Sequence, residues 1–253
     1  MTILPPECTH NAQMTMRLLK STLFIIVFST LTASVSFAAE VVGKAAELSG
    51  KVMVTHEGEA PKTLEYEADI LLKDVIETKK DGAVKISFKD GTDLALQAGS
   101  KIMISEFVYN PKKKERNNVV EANFGKVRLI VNKTFDKSKS KTEVKTPTAV
   151  VGVRGTDFAL DIGTKRTKVF CLRGSVDTFN PLFPLQIVSI GAGMFSDVLA
   201  GVVPGLPIAI PAEILNQIQN QFGFPITPEG LKQKAVEELQ RHVPIPIPGG
   251  LPF

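Results

Sequence analysis

From residue 41 onward the chain alternates apolar and polar positions in short bursts rather than at a helical period. Such bursts stand at residues 47–54, 83–88, 93–97, 101–108, 126–131, 148–153, 158–162, 167–172 and 175–179, and each predicts a β-strand. Lys80-Asp81-Gly82, Lys89-Asp90-Gly91, Ala98-Gly99-Ser100 and Ile162-Gly163-Thr164 separate them with turn chemistry. Many short strands at close spacing predict an all-β sandwich or solenoid.

After Asn180 the pattern changes. The run from Leu182 to Pro211 carries Asp197 as its single charge, but Pro184, Gly191, Gly193, Gly201, Pro204, Gly205 and Pro207 interrupt it. A lipid-exposed span needs an unbroken hydrogen-bonded helix, so the run predicts a last β-hairpin turning at Gly191-Ala192-Gly193. Helical spacing appears next: Ile214, Leu215, Ile218 and Phe222 form one stripe behind Pro211, and Leu231, Ala235 and Leu239 form a second behind Thr227-Pro228-Glu229. Two short helices follow, then a tail from Val243 to Phe253 in which proline alternates with apolar residues and favours polyproline II.

The strands repeat. Gly91-Thr92-Asp93-Leu94-Ala95-Leu96 returns as Gly155-Thr156-Asp157-Phe158-Ala159-Leu160, and Gly50-Lys51-Val52 returns as Gly125-Lys126-Val127 and Gly174-Ser175-Val176. A β unit used twice accounts for this self-similarity. The second copy sits inside Thr146-Pro147-Thr148-Ala149-Val150-Val151-Gly152-Val153-Arg154-Gly155-Thr156-Asp157-Phe158, where two glycines bracket an arginine at the tip of a turn.

That stretch resembles the Thr-Pro-x-Ala-x-x-Gly-Val-Arg-Gly-Thr-x-Phe signature of the FecR domain family, which is complete from Thr146 to Phe158. The similarity extends over roughly residues 42–193 and includes Asp74-Val75-Ile76-Glu77-Thr78, Phe88-Lys89-Asp90-Gly91-Thr92, Phe124-Gly125-Lys126-Val127 and Cys171-Leu172-Arg173-Gly174-Ser175-Val176. It implies a FecR-like β-sandwich or solenoid of two similar units. The family is best known for transmembrane regulators in which a periplasmic FecR region senses a loaded outer-membrane transporter while a cytoplasmic segment controls a sigma factor. No cytoplasmic helical domain is expected ahead of the apolar segment, so the resemblance leads to an expectation of an exported β domain acting as an interaction or sensing module.

Arg17 and Lys20 precede Leu23-Phe24-Ile25-Ile26-Val27-Phe28, and Ser36-Phe37-Ala38 follows, which together predict a secretory signal peptide cut after Ala38 or Ala39. The expected organisation is a signal peptide at 1–38, a FecR-like β domain at 40–198 and a Pro/Gly-rich extension at 199–253, with the mature protein in the periplasm. Retention of the leader as a membrane anchor is the alternative, and it keeps a signal-transduction role open. Cleavage removes Cys8 and leaves Cys171 alone in an apolar strand, where it reads as a small buried hydrophobe.

Composition narrows the function. With no Trp and only 2 Tyr against 15 Phe, the stacking residues of sugar and nucleobase sites are nearly missing. Export likewise argues against nucleic acid. The mature chain keeps only His56 and His242, and no nucleophile-base arrangement or metal spacing stands out, so no catalytic residue, cofactor or metal is expected. Glu57, Glu59, Glu65, Glu67 and Asp69 lack the loop spacing of a cation site and read as a solvated face.

What remains are candidates for interaction. Arg154 and Asp157 lie in the signature turn, where Arg154 either binds an anion through its planar fork or caps carbonyls and pairs with Asp157 or Asp93. Lys112, Lys113, Lys114 and Arg116 lie in a charged run, continued further on by Lys133, Lys137, Lys139, Lys141 and Lys145, that reads first as solvated loop and second as a basic face for an anionic glycan or lipid head group. An envelope protein is the expected partner.

Overall fold

A computed structural model describes residues 39–132 and 140–222, and the expected signal peptide, second helix and proline-rich tail lie outside them. The described residues from Glu40 onward form a compact unit. Its first half contains β1 (Val41–Ser49), β2 (Val52–Thr55), β3 (Lys62–Thr63), β4 (Asp69–Leu71), β5 (Val75–Thr78), β6 (Ala83–Phe88), β7 (Asp93–Leu96) and β8 (Lys101–Asn110). A 16-residue strand, β9 (Glu115–Ile130), follows. The second half contains β10 (Ser140–Lys145), β11 (Val150–Val153), β12 (Asp157–Ile162), β13 (Arg166–Arg173), β14 (Ser175–Phe179), β15 (Val188–Gly191), β16 (Met194–Leu199), β17 (Ile208–Ala209) and one helix, α1 (Ala212–Gln221).

The strands form two sheets. One runs β4-β1-β6-β7-β9-β12-β13-β16-β17. The other runs β3-β2-β5-β8-β9-β10-β11-β14-β15, with β9 and β10 parallel and the remaining pairs antiparallel. Strand β9 belongs to both. Its first part, through Phe124, pairs with β8 and β10, and its second part, from Gly125, pairs with β7 and β12. Alternation along the strands, broken by bulges in β1 and β8, turns Val84, Ile86, Leu94, Leu129, Phe158 and Val169 of one sheet toward Val52, Ile76, Ile102, Val120, Val151 and Val176 of the other, and these enclose one core.

The sequence repeat has a geometric meaning. Asp93, Leu94, Ala95 and Leu96 pair with Ile130, Leu129, Arg128 and Val127, and Asp157, Phe158, Ala159 and Leu160 pair with the same four residues from the other side. The two copies are therefore set in one register on either flank of β9. On the outer face Ala95 and Ala159 are small enough to admit α1, which buries Ile218 and Phe222 against Ala159 and Phe170, with Ile214 and Phe195 packed beside them. The Phe170 and Phe195 rings stack at 5.3 Å. A ten-residue helix is marginal alone, so this contact holds it.

Three expectations change. The single strand expected at 47–54 is broken into β1 and β2 at Gly50, whose φ is +60°. The hairpin expected after Leu185 is divided between layers: β15 pairs with β14 in one sheet and β16 with β13 in the other, so Gly191-Ala192-Gly193 spans the sandwich instead of closing a ladder. Strands β10 and the first part of β9 occupy stretches expected as charged loop.

Gly125, at the change of sheets, has φ of +102°, and a β-carbon there would stand 2.3 Å from Ser100 Oγ and 2.4 Å from its Cα. Ser100 Oγ accepts from the Lys126 amide at 2.9 Å and secures the bend. Gly125→Ala combines left-handed strain with a backbone clash, so it should cost about 2–3 kcal/mol and lower the melting temperature by roughly 5–10 °C. A thermal melt followed by far-UV circular dichroism checks this.

Candidate interaction surface

The signature forms the passage from β11 in one sheet to β12 in the other. Its opening threonines are internal ties. Thr146 Oγ1 donates to the Ala149 carbonyl at 3.0 Å and accepts from the Ala149 amide at 2.9 Å, closing the β10–β11 turn. Thr148 donates to Thr167 Oγ1 at 2.8 Å, and Thr146 and Thr167 share a further bond at 2.9 Å, all three side chains being buried. Past the crossover, Thr156 Oγ1 donates to the Ser175 carbonyl at 2.8 Å, and Phe158 is fully buried in the core. Gly155 supplies the φ of +83° that the crossover requires.

Asp157 has a partner that the sequence reading did not identify. Arg128, from β9, donates to it through Nε at 3.0 Å and Nη2 at 2.9 Å, a bidentate pair with both side chains about 15% exposed. The sister residue Asp93 instead takes Ser87 Oγ at 2.6 Å and Lys85 Nζ at 3.3 Å. Neither carboxylate is the partner of Arg154. The expected Arg154–Asp157 or Arg154–Asp93 pairing is thus corrected: Arg128 lies in register between the two copies and reaches Asp157 first. Arg154 is exposed and makes no side-chain hydrogen bond or ion pair with the described residues. Nearly every other side chain of the signature faces inward or is tied down, so Arg154 is what the motif presents to solvent.

The basic run divides in two. Lys112, Lys113 and Lys114 are exposed at the tip of the β8–β9 hairpin, where Asn110 Oδ1 accepts from the Lys113 amide at 3.1 Å and Lys114 adopts φ of +52°. Arg116 does not belong with them. Only 2% exposed, it donates to Asp90 Oδ2 at 3.4 Å and to the Asn132 carbonyl at 3.2 Å. Asp90 also accepts from Asn118 Nδ2 at 2.7 Å, from the Thr92 amide at 3.0 Å and from Thr92 Oγ1 at 2.9 Å. A buried carboxylate with this many donors is a structural junction, which removes Arg116 from any exposed binding face. The register β11–β10–β9 pairs Val153 with Thr142 and Thr142 with Asn118, and the lysine tip lies further out along β9. Arg154 and Lys112–Lys114 therefore occupy the same end of the sandwich.

Of the remaining titratable groups, His56 contacts Asp74 through Nδ1 at 2.5 Å, and the acidic stretch pairs locally, as Glu59 with Lys62 and Asp69 with Lys44. Cys171 is fully buried, and desolvation, with a smaller contribution from the nearby Asp157 charge, pushes its thiol up from 9.0 to about 11.

Residues 74–177 match the family model described as FecR protein. Two crystal structures, at 1.65 and 2.50 Å, of a candidate anti-sigma factor from Parabacteroides distasonis ATCC 8503 match this chain at 20% identity and TM-scores of 0.45 and 0.46. Each alignment covers 66% of this chain and 73% of the other. No curated protein matches the sequence.

The two arginines should separate cleanly under mutation. Arg116→Ala leaves Asp90 buried without its cation and should cost about 3–5 kcal/mol, whereas Arg154→Ala should stay within about 0.5 kcal/mol of the parent chain. Urea unfolding of both variants measures this. Cys171 should resist a thiol reagent in the folded protein at neutral pH and react once unfolded, as a colorimetric thiol assay reads out. Because the folded value is raised, this group's stabilising contribution is whole below pH 9.0 and disappears as the pH climbs toward about 11.

Proposed function

We propose that this chain is an exported, non-catalytic FecR-domain module that binds a protein partner in the periplasm and serves a signalling or regulatory pathway of the envelope. The FecR match over residues 74–177 supports the regulatory class. The observation that carries the binding reading is the exposed Arg154, without a partner among the described residues, on a crossover fixed by Thr146, Thr148, Thr156 and the Arg128–Asp157 pair. A planar guanidinium held out on a rigid turn suits bidentate recognition of a carboxylate, and its frame is ordered before the partner arrives.

Binding there orders little more than one side chain, which favours affinity from a small contact. The three lysines at the hairpin tip support a second reading at the same end, a face for an anionic glycan or lipid head group.

A photo-crosslinking residue placed at exposed Ser175, beside the crossover, should capture one discrete envelope protein in cells. Arg154→Glu should abolish that capture, while a crosslinker at Lys80 should capture nothing comparable. Capture that persists in Arg154→Glu, or that also occurs from Lys80, removes Arg154 from recognition. Loss of capture only on charge reversal of Lys112–Lys114, with strong salt dependence, transfers the site to the hairpin tip.

A further inference from the structure

The opposite end of the sandwich has a different chemistry. Asn180, itself 2% exposed, ends β14 and fastens two loops together, donating through Nδ2 to the Leu199 and Val202 carbonyls at 2.8 Å each and accepting from the Leu182 amide at 3.0 Å. The first loop, between β14 and β15, holds out Leu182, Leu185 and Ile187 at 70, 94 and 58% exposure. The second, between β16 and β17, holds out Val202, Val203 and Leu206 at 49, 39 and 85%. Internal bonds set both loops: the Phe183 amide donates to the Asn180 carbonyl at 2.8 Å, the Gln186 amide to the Phe183 carbonyl at 3.0 Å, and the Gly205 amide to the Asp197 carbonyl at 2.9 Å. These leucines are displayed by ordered turns, and such a concentration of exposed apolar side chains is not the scattered kind found on any surface.

Charge completes the description. From 178 to 212 the sequence contains Asp197 as its only charged residue. Around the loops stand exposed cations. Lys145 and the Lys165–Arg166 turn are drawn together by the buried Thr146, Thr148 and Thr167 hydroxyls, and the Lys165 carbonyl accepts from the Ala200 amide of the second loop at 2.9 Å. The acids facing these three cations are Asp197, 3.8 Å from Arg166, Asp161 on β12, and Glu121, across from Lys145 on β9. Apolar tips with the long cationic side chains of Lys145, Lys165 and Arg166 beside them match the interface of an anionic bilayer, with apolar side chains in the acyl boundary and ammonium and guanidinium groups among the head groups. A protein partner of this apolar character would need a groove to seat two separate loop tips, and it would not require the cations.

We propose that the Asn180-centred loops are a membrane-docking surface that places this end of the sandwich in the interface of an anionic lipid bilayer. This surface is distinct from the Arg154 end and does not depend on the reading made there. Docking at one end leaves the other facing away from the lipid.

The test uses the chain from Glu40 onward, which contains the compact unit and keeps Cys171 as its one native thiol. Because that thiol is buried, Leu185→Cys can be labelled selectively with an environment-sensitive dye. On vesicles of phosphatidylethanolamine and phosphatidylglycerol the dye should shift to the blue, while the same dye at Tyr66→Cys, exposed between Glu65 and Glu67, should not. Leu185→Glu with Leu206→Glu should lower vesicle partitioning roughly a hundredfold, about tenfold per leucine, with an unchanged melting temperature. Lys165→Glu should weaken binding roughly fivefold or more on these vesicles and leave binding to neutral phosphatidylcholine unchanged. Absence of partitioning, or partitioning that survives the double leucine change, overturns the proposal. A dye at position 185 that is already blue-shifted without vesicles does so too, since a second copy or another part of the chain then covers the loops.

Discussion

Both halves of this fold depend on one strand changing partners midway. Strand β9 spends its first ten residues in one sheet and its remainder in the other, and the change is possible because Gly125 carries a positive φ that a side chain would contest with Ser100. Every element of the first half reaches the second through this strand, directly or through the shared core. The duplicated Gly-Thr-Asp-x-Ala-Leu segments are consequently not two separate structures. They are two flanks of a single template, matched to it residue for residue, with Arg128 placed between them.

The two ends of the sandwich differ in how their exposed groups are held. At the signature end, hydroxyls and a bidentate ion pair spend their bonding capacity on the backbone, and one guanidinium is left over. At the Asn180 end a single amide gathers two loops whose apolar side chains have no place in the core. In each case a buried polar residue orders the chain locally so that neighbouring side chains face solvent at little further entropic cost. The Asp90–Arg116–Asn118 junction has the same character without an exposed product: it uses its charges entirely inside.

Much of the β architecture was legible because alternation with period two is visible wherever the inward residues are apolar, as in β6, β7, β12 and β13. It was hidden where they are not. Strand β10 turns Ser140, Thr142 and Val144 inward, and the start of β9 turns Arg116 and Asn118 inward, so both looked like solvated charge. The signature itself identified Arg154 and Asp157, but the partner of Asp157 could not be found from spacing, because Arg128 lies on a different strand and meets it only through register. The small residue at position 159, set opposite an arginine and repeated at 95, was the one signal pointing to a helix above that row. The failed hairpin at 191–193 shows the converse limit: a glycine turn between two strands does not say whether they share a ladder or cross between layers.

The shared template also suits a chain that is made from its amino terminus. When the first half has emerged, β7 and β8 both present unfilled edges, and only β9 can satisfy them, one with each of its segments. Once β9 is seated its far edges become the new unfilled ones, and β10 and β12 are the later segments that fill them. This topology permits sequential growth, with the second half completed on the first rather than assembled separately and then joined. The pairing groups of the central strand find their partners in β7 and β8 before it and in β10 and β12 soon after it, which limits the time that an open edge is available to a neighbouring molecule.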